Sequence, residues 1–307
     1  MSSPWSDLDR PPLHEAALAR ALVGPAASPA AAGDAGGAGD AGGAPAGPWT
    51  SLRVVPETGS TNTDLVAEAR RGPAEAPGGA VLIAEAQTSG RGRLDRSWTA
   101  PPRSGINLSV LLRPAAPMAR WGWLPLLTGV AAAAALSRTA EVPVRLKWPN
   151  DLLVEIDGEE RKLGGILAEA VTSSDDAGAG AVVVGIGINV SLRAEELPVP
   201  TAASLALAGA ATTDRDPLVR ALLRELGSRF TAWDAADGDP EASGLRAAYT
   251  ELCSTLGRTV RVELPGDREN RGEAVAVDAD GRLVIRTADG AEHAVGAGDV
   301  VHVRPVG

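Results

Sequence analysis

Residues 181–186 read AVVVGI, a strand candidate with no polar face. A strand that is apolar at every position should be buried on both sides. Its neighbours agree with a layered fold. Ala80–Ala86, Ile106–Leu112, Val142–Trp148, Leu152–Ile156 and Lys162–Val171 are further strand candidates. Asp157-Gly158, between the last two, is a hairpin signal. Trp121–Ala140 is apolar but interrupted by Gly122, Pro125, Thr128 and Gly129, so it reads as a buried helix rather than a membrane span. Thr61-Asn62-Thr63-Asp64 reads as a capping box that opens a helix running to Arg71. Asp216-Pro217 opens another, whose Leu218, Leu222, Leu223 and Leu226 fall at helical spacing.

From Gly257 the pattern changes to short alternating strands, with turn signals at Asp280-Gly281 and Asp289-Gly290. About fifty residues of this kind predict a small β-barrel. At the other end, residues 24–48 are Gly, Ala, Pro and Asp with almost nothing to pack, and are expected to be disordered. Leu13–Val23 allows one short helix, too little for a helix-turn-helix. The division expected is a low-complexity segment over 1–50, an α+β catalytic domain over 51–253 and a β-barrel over 254–307.

The chain has 307 residues and a net charge of −10, which argues against phosphate-backbone binding and so against a nucleic-acid partner. Cys253 is the single cysteine, so no disulfide forms within the chain, and a reducing compartment, the cytoplasm, is the simplest reading. The N-terminus lacks the apolar core of a signal peptide. His14, His293 and His302 are scattered and give no metal-ligand spacing, so no protein metal site is expected.

Three stretches carry residue types that structure alone does not call for. Residues 87–98, QTSGRGRLDRSW, place Arg91, Arg93 and Arg96 with Gly90 and Gly92 in one loop after a strand. Glycines allow close backbone approach, and guanidinium forks fit carboxylates and phosphates; the alternative is a solvated flexible loop. With Asp95 at the third glycine position, and with no Gly-Lys-Ser/Thr, it is neither a dinucleotide fingerprint nor a P-loop. Residues 145–151, RLKWPND, put Lys147 inside a strand that Pro149 ends, with Asn150 and Asp151 at the turn. The plainer reading is an exposed lysine before an ordinary turn. Gly164-Gly165 and Gly185-Ile186-Gly187-Ile188-Asn189 place glycines inside strands, where they mark bulges, sheet packing or the floor of a pocket.

Taken in order, Ser60-Thr61-Asn62, Gln87 with GRGRLDRSW at 90–98, KWPNDLL at 147–153, KLGGILAE at 162–169 and GIGINV at 185–190 resemble the biotin–protein ligase family. The resemblance spans roughly residues 52–305. It implies a central mixed sheet with flanking helices, related to the class II aminoacyl-tRNA synthetases, and a Src-homology-3-like C-terminal barrel. It points to the monofunctional members, because the first fifty residues are too short and too Gly/Ala-rich for the N-terminal winged helix of the bifunctional ones.

The resemblance further implies ATP and biotin as substrates with Mg²⁺, biotinyl-AMP as intermediate, and the biotin carboxyl carrier domain of a biotin-dependent carboxylase as acceptor. Arg91, Arg93 and Lys147 are then the catalytic candidates, Lys147 bridging the biotin carboxylate and the α-phosphate. Arg96 is a further phosphate candidate. Ser60, Thr61, Asn62 and Gln87 would meet the ureido ring. Gly90, Gly92 and Gly165 would admit the ligand, Asn150 would contact ATP, and Asn189 would contact nucleotide or Mg²⁺. Asp151 either orients Lys147 or caps the turn. A monomer or weak homodimer, not bound to membranes, is expected. The alternatives are a lipoate or octanoate ligase, and a biotin-responsive DNA-binding regulator.

Overall fold

The computed structural model describes residues 10–24, 47–94, 96–172, 180–264, 268–296 and 299–302. Among these, β1 (Ser51–Val55), β2 (Ala80–Ala84), β3 (Gly105–Leu112), β4 (Arg145–Lys147), β5 (Asp151–Ile156), β6 (Glu159–Val171) and β7 (Ala181–Asn189) form one sheet in the order β1-β2-β3-β7-β6-β5-β4. β1 and β2 are parallel, and the remaining neighbours are antiparallel. This is the mixed sheet that the resemblance implied. β7 lies in its interior, and AVVVGI has no polar face because Val182, Val184 and Ile186 pack in the main core while Ala181 and Val183 pack in a second cluster on the opposite face.

Five helices accompany the sheet among the described residues: α1 (Glu15–Leu22), α2 (Thr61–Ala69), α3 (Leu124–Thr139), α4 (Arg215–Ala235) and α5 (Leu245–Leu252). α3 is buried almost all round, packing on α4, α5 and β4–β6, so it needs no polar face. A 3₁₀ turn, Met118–Trp123, precedes it and takes over the first residues of the expected helix. No helix among the described residues is long and apolar enough to cross a membrane.

The period of two along the strands divides the sheet into two faces. Ile106, Leu108, Val110, Val184, Ile186 and Ile188 join the main core beneath α3 and α4. Leu111 and Val183 face the other way and form a smaller core with Leu65 and Ala69 of α2 and with Leu82. α2 covers only part of that second face, and the uncovered part carries the site.

β8 (Thr259–Leu264), β9 (Arg268–Val277), β10 (Leu283–Arg286), β11 (Glu292–Val295) and β12 (Asp299–His302) make a five-stranded antiparallel sheet in the order β11-β10-β9-β8-β12. Two tryptophans clamp it to the larger domain: Trp123 Nε1 donates to Ala279 O (2.9 Å) and Trp148 Nε1 to Gly281 O (3.0 Å). A Cβ at Gly122 would stand 2.3 Å from Asp280 O, so the two units touch backbone to backbone there.

Three expectations need correction. Residues 10–24 and 47–50 are not outside the fold. Leu13, Leu18, Leu22 and Trp49 are buried in the main core, and Trp49 Nε1 donates to Leu223 O (2.9 Å). Most of the segment expected to be disordered, residues 25–46, lies outside the described residues. The strand expected over Val142–Trp148 shrinks to Arg145–Lys147, because only these residues find a partner, in β5. The cap of α2 is Ser60, whose hydroxyl accepts from Thr63 N; Thr61 and Asn62 therefore fall in the first turn rather than before it. β1 and α5 carry no expectation from the sequence reading.

Candidate active site

The register lines up one residue per strand across five strands. Asn107 (β3) opposes Gly187 (β7), Gly187 opposes Gly165 (β6), Gly165 opposes Asp151 (β5) and Asp151 opposes Lys147 (β4). Directly opposed residues share a face. A second row, Ser109–Gly185–Leu167, runs beside the first. Glycine and small polar side chains in these rows leave a depression where larger ones would fill it. The result is an open cleft of about 1570 Å³.

Of the residues singled out in the sequence, Ser60, Thr61, Asn62, Gln87, Arg91, Gly92, Arg93, Arg96, Lys147, Asn150, Gly165 and Asn189 all line this cleft. Gly90 does not. It is buried behind the wall, where Trp98 N donates to Gly90 O (2.8 Å) and a Cβ would meet Trp98 O at 2.3 Å. Its smallness serves the neck of the arginine loop rather than a ligand.

Of the readings open for the in-strand glycines, packing against other parts of the protein holds at Gly185 and Gly187. A Cβ at Gly185 would lie 2.2 Å from Asn62 Oδ1, and one at Gly187 would lie 2.5 Å from Trp98 Cε2. The indole is held by Trp98 Nε1 donating to Asn107 Oδ1 (3.2 Å). The glycines thus seat the first turn of α2 and the end of the loop directly on the sheet.

One end of the cleft is neutral and polar. Gln87 Oε1 accepts from Thr61 N (2.9 Å) and Thr61 Oγ1 (3.1 Å). Ser109 Oγ bonds Thr61 Oγ1 and Asn62 Oδ1, both at 2.7 Å. Asn62 Nδ2 donates to Glu169 Oε2 (2.8 Å) and Leu167 O (3.2 Å). These bonds fix both amide orientations, so Asn62 presents oxygen and Gln87 presents its NH₂. The other end is charged. Arg93, Arg96, Lys147, Lys162 and Arg258 line it against Asp151, Glu155, Glu159 and Glu160, and Arg91 stands between the two ends on the Glu169 carboxylate. A chain of net charge −10 therefore gathers a cationic majority in one place.

Within that set the loop and the strands are cross-linked. Arg91 Nη1 donates to Glu169 Oε1 (3.0 Å), and Arg93 Nη1 to Asn150 Oδ1 (3.4 Å). Asn150 Nδ2 in turn donates to Ile166 O (3.0 Å), and Asn189 Nδ2 to Ala203 O (2.9 Å), so both asparagines anchor backbone as well as facing the cleft. Lys162 Nζ pairs with Asp151 Oδ1 at 2.6 Å. A Cβ at Gly165 would be 3.5 Å from the same ammonium and 3.9 Å from Trp98. Asp151 is thus engaged by Lys162, a role not among the two weighed for it. Lys147 stands at the other end of the row and also borders a cavity of about 10 Å³ reached by Tyr249.

Sequence reasoning missed Lys162, Trp98, Asn107, Ser109, Glu169 and Arg258 as site residues. Asn107 and Ser109 carried a signal, two polar residues spaced by two in an otherwise apolar strand. Lys162 had the same signal as Lys147, a lysine within a predicted strand. Arg258 had none. It reaches the cleft only because the C-terminal unit docks beside it, where it makes two hydrogen bonds to the Glu160 carboxylate (2.7 and 2.9 Å).

Comparison with known proteins agrees with this geometry. The Biotin/lipoate A/B protein ligase family matches residues 54–189, and the Biotin protein ligase C terminal domain matches residues 255–303. The chain is 41% identical over 299 residues to the biotin--[acetyl-CoA-carboxylase] ligase of Mycobacterium tuberculosis, covering 96% of this chain and 97% of that one. It is 32% identical over 239 residues to the bifunctional ligase/repressor BirA of Escherichia coli, covering 76% and 69%. The biotin protein ligase of Aquifex aeolicus, solved in complex with biotin and ATP, is similar with a TM-score of 0.63 and 26% identity, over 83% of this chain and all (100%) of that one.

Proposed function

The chain belongs to the biotin protein ligase family, and from that premise we propose that its cleft joins biotin to ATP and then passes the biotinyl group to a lysine of a carrier protein. In the first step a biotin carboxylate oxygen attacks the α-phosphorus. The new P–O bond gives biotinyl-AMP, and the bond to the β-phosphate breaks, releasing pyrophosphate. In the second step the acceptor amine attacks the activated carbonyl, and AMP leaves.

The chemistry asks for cations. A carboxylate and a phosphate each of unit charge, ~4 Å apart, repel by about 4 kcal/mol at a protein-surface dielectric. Fixed positive groups reverse that sign as the reactants meet. Arg91, Arg93 and Lys147 are assigned this role, with Arg96 on the phosphates. Lys162 joins them, because its ammonium stands over the glycine row between Asp151 and Trp98. The ureido ring is assigned to the neutral end. One of its N–H groups would donate to Asn62 Oδ1, and its oxygen would accept from Gln87 Nε2 and Ser60 Oγ. The valeryl chain would then lie along the 164–168 segment toward the lysines.

Mg²⁺ enters on this reading as Mg·ATP. Among the described residues no group of three or more His, Cys, Asp or Glu side chains could hold a metal. Two cleft carboxylates, Asp151 and Glu160, are moreover engaged by Lys162 and Arg258. The acceptor is read as the biotin carboxyl carrier domain of a carboxylase, in keeping with the name of the mycobacterial relative. The single cysteine suits a cytoplasmic enzyme.

The observation that carries this reading is the single cleft that joins the neutral Asn62–Gln87 end, by way of Arg91, to the Arg93, Lys147 and Lys162 end. The test is incubation with biotin, Mg·ATP and a carrier domain, followed by intact-mass measurement of the carrier. The mass should rise by one biotinyl group. In parallel incubations with lipoate and octanoate the mass should not change; a carrier modified by either of these, and not by biotin, would overturn the assignment.

A further inference from the structure

Glu169 belongs to the KLGGILAE stretch, yet it has no part in the chemistry above. Its two carboxylate oxygens hold two different parts of the site: Oε2 accepts from Asn62 Nδ2 (2.8 Å) and Oε1 from Arg91 Nη1 (3.0 Å). We infer that Glu169 is a positioning residue for ligand recognition, which locks the Asn62 amide so that it offers an acceptor to a ligand N–H and ties that amide to the arginine loop. This rests on the reading of the cleft as the biotin site.

The hydrogen-bond inventory of Asn62 carries the argument. Both amide hydrogens are consumed, one by Glu169 and one by Leu167 O. The oxygen takes one bond from Ser109 Oγ (2.7 Å) and keeps a second lone pair. Asn62 therefore can only accept from a ligand, and the ligand group facing it must be a donor. In the flipped amide the oxygen would face a carboxylate and a carbonyl, and the charged Glu169, on the shorter of the two bonds, is the stronger bar to that state. The Glu169–Arg91 pair is partly exposed, with side chains 23% and 48% accessible, so its weight lies in geometry rather than in stability. Glutamine at 169 has the same shape but only one oxygen. Its NH₂ must then face either the Asn62 NH₂ or the Arg91 guanidinium, and one link is lost.

The experiment measures biotin binding by calorimetry without ATP, on the full chain, for wild type, Glu169→Gln, Asn62→Ala and the double variant. Loss of one charge-assisted hydrogen bond predicts about tenfold weaker biotin binding in Glu169→Gln, with KM for ATP in pyrophosphate exchange within twofold of wild type. In the Asn62→Ala background the added Glu169→Gln change should weaken biotin less than twofold, because the group it positions is gone. An equal loss in both backgrounds would show that Glu169 does not act through Asn62 and overturns the inference. Full biotin affinity in Asn62→Ala overturns the ureido assignment itself, and the inference with it. Unchanged binding in Glu169→Gln beside a weakened Asn62→Ala overturns the inference alone.

Discussion

Trp98 lies so close to Gly187 that a single added methyl at position 187 would stand 2.5 Å from its Cε2. The loop that carries Arg91, Arg93 and Arg96 ends at this tryptophan, so the sheet's glycine sets where the guanidinium groups stand. Gly187→Ala should push the indole off the sheet. We expect a stability loss of about 1–3 kcal/mol, as for an overpacked core, and a larger effect on adenylation, followed by ATP–pyrophosphate exchange. Wild-type exchange at reduced thermal stability would mean that the loop is placed by other contacts.

Lys147 and Lys162 face the same cleft from different strands. Removing a preorganised cation from developing charge lowers rates by about 10²–10³. Each Ala variant should lose exchange activity on that scale while keeping its far-ultraviolet circular dichroism. Lys162→Ala also leaves Asp151 without its ion pair, so it should show the deeper loss. A variant that releases pyrophosphate at the wild-type rate removes that lysine from the mechanism.

Glu85 and Arg215 form a buried ion pair, with side chains 8% and 4% accessible. Glu85 Oε1 also accepts from Leu13 N, and Arg215 donates to Pro11 O and Gly105 O, so the pair straps the N-terminal segment across the sheet. Removing one partner strands a buried charge, at about 3–5 kcal/mol. Glu85→Ala should therefore lower the thermal midpoint sharply, and Glu85→Ala with Arg215→Met should recover part of the loss. A Glu85→Ala midpoint equal to wild type would contradict the strap.

The strap has a pH window of its own. Asp216, hydrogen-bonded to His14 and charged beside it, raises the imidazole above its ordinary 6.5, with Asp214 adding to the effect. A raised value means that the contact contributes fully below 6.5 and is lost as the pH rises through the raised value. Glu196 is shifted the other way, below 4.5, by its bond from Arg10, and its contribution fades as the pH falls through that lowered value. The strap should be firmest between about pH 4.5 and 6.5. Nuclear magnetic resonance titration of His14 reads this directly. Asp216→Asn should bring its midpoint down toward 6.5, and an unmoved midpoint would reject the pairing.

The arginine loop bridges Arg91 to Glu169 and Arg93 to Asn150, both at the edge of an open cleft. Closure of a loop over a mixed anhydride would keep water from it. Hydrogen exchange across residues 88–98 should slow on addition of biotinyl-AMP; equal rates with and without it would reject the closure.

Much of this site is legible in the sequence. The five stretches that suggested a ligase converge on one cleft, because each carries residues whose chemistry no soluble core requires: three arginines between glycines, a lysine in a strand, glycines where strands want bulk. What misled was locality. The capping box at Thr61–Asp64 was placed one residue late, since Ser60 and Thr61 are equally good caps in isolation. For the in-strand glycines the sequence leaves bulges, sheet packing and a pocket floor open, and at Gly185 and Gly187 it is packing, by Asn62 and Trp98, that fills the space. Lys162 passed unnoticed beside the equivalent signal at Lys147.

The sequence by itself determined most of the order of strands and helices, β1 and α5 excepted, the burial of β7 and the supply of cations. These follow from patterns a few residues long. Tertiary structure decided the rest: that Asp151 meets Lys162, that Glu169 holds both Asn62 and Arg91 from 107 and 78 positions away, and that Arg258 and the N-terminal strap belong to the same folded body. Periodicity is a property of neighbours along the chain. A partner across a sheet is set by register, and register is fixed only once the strands have packed.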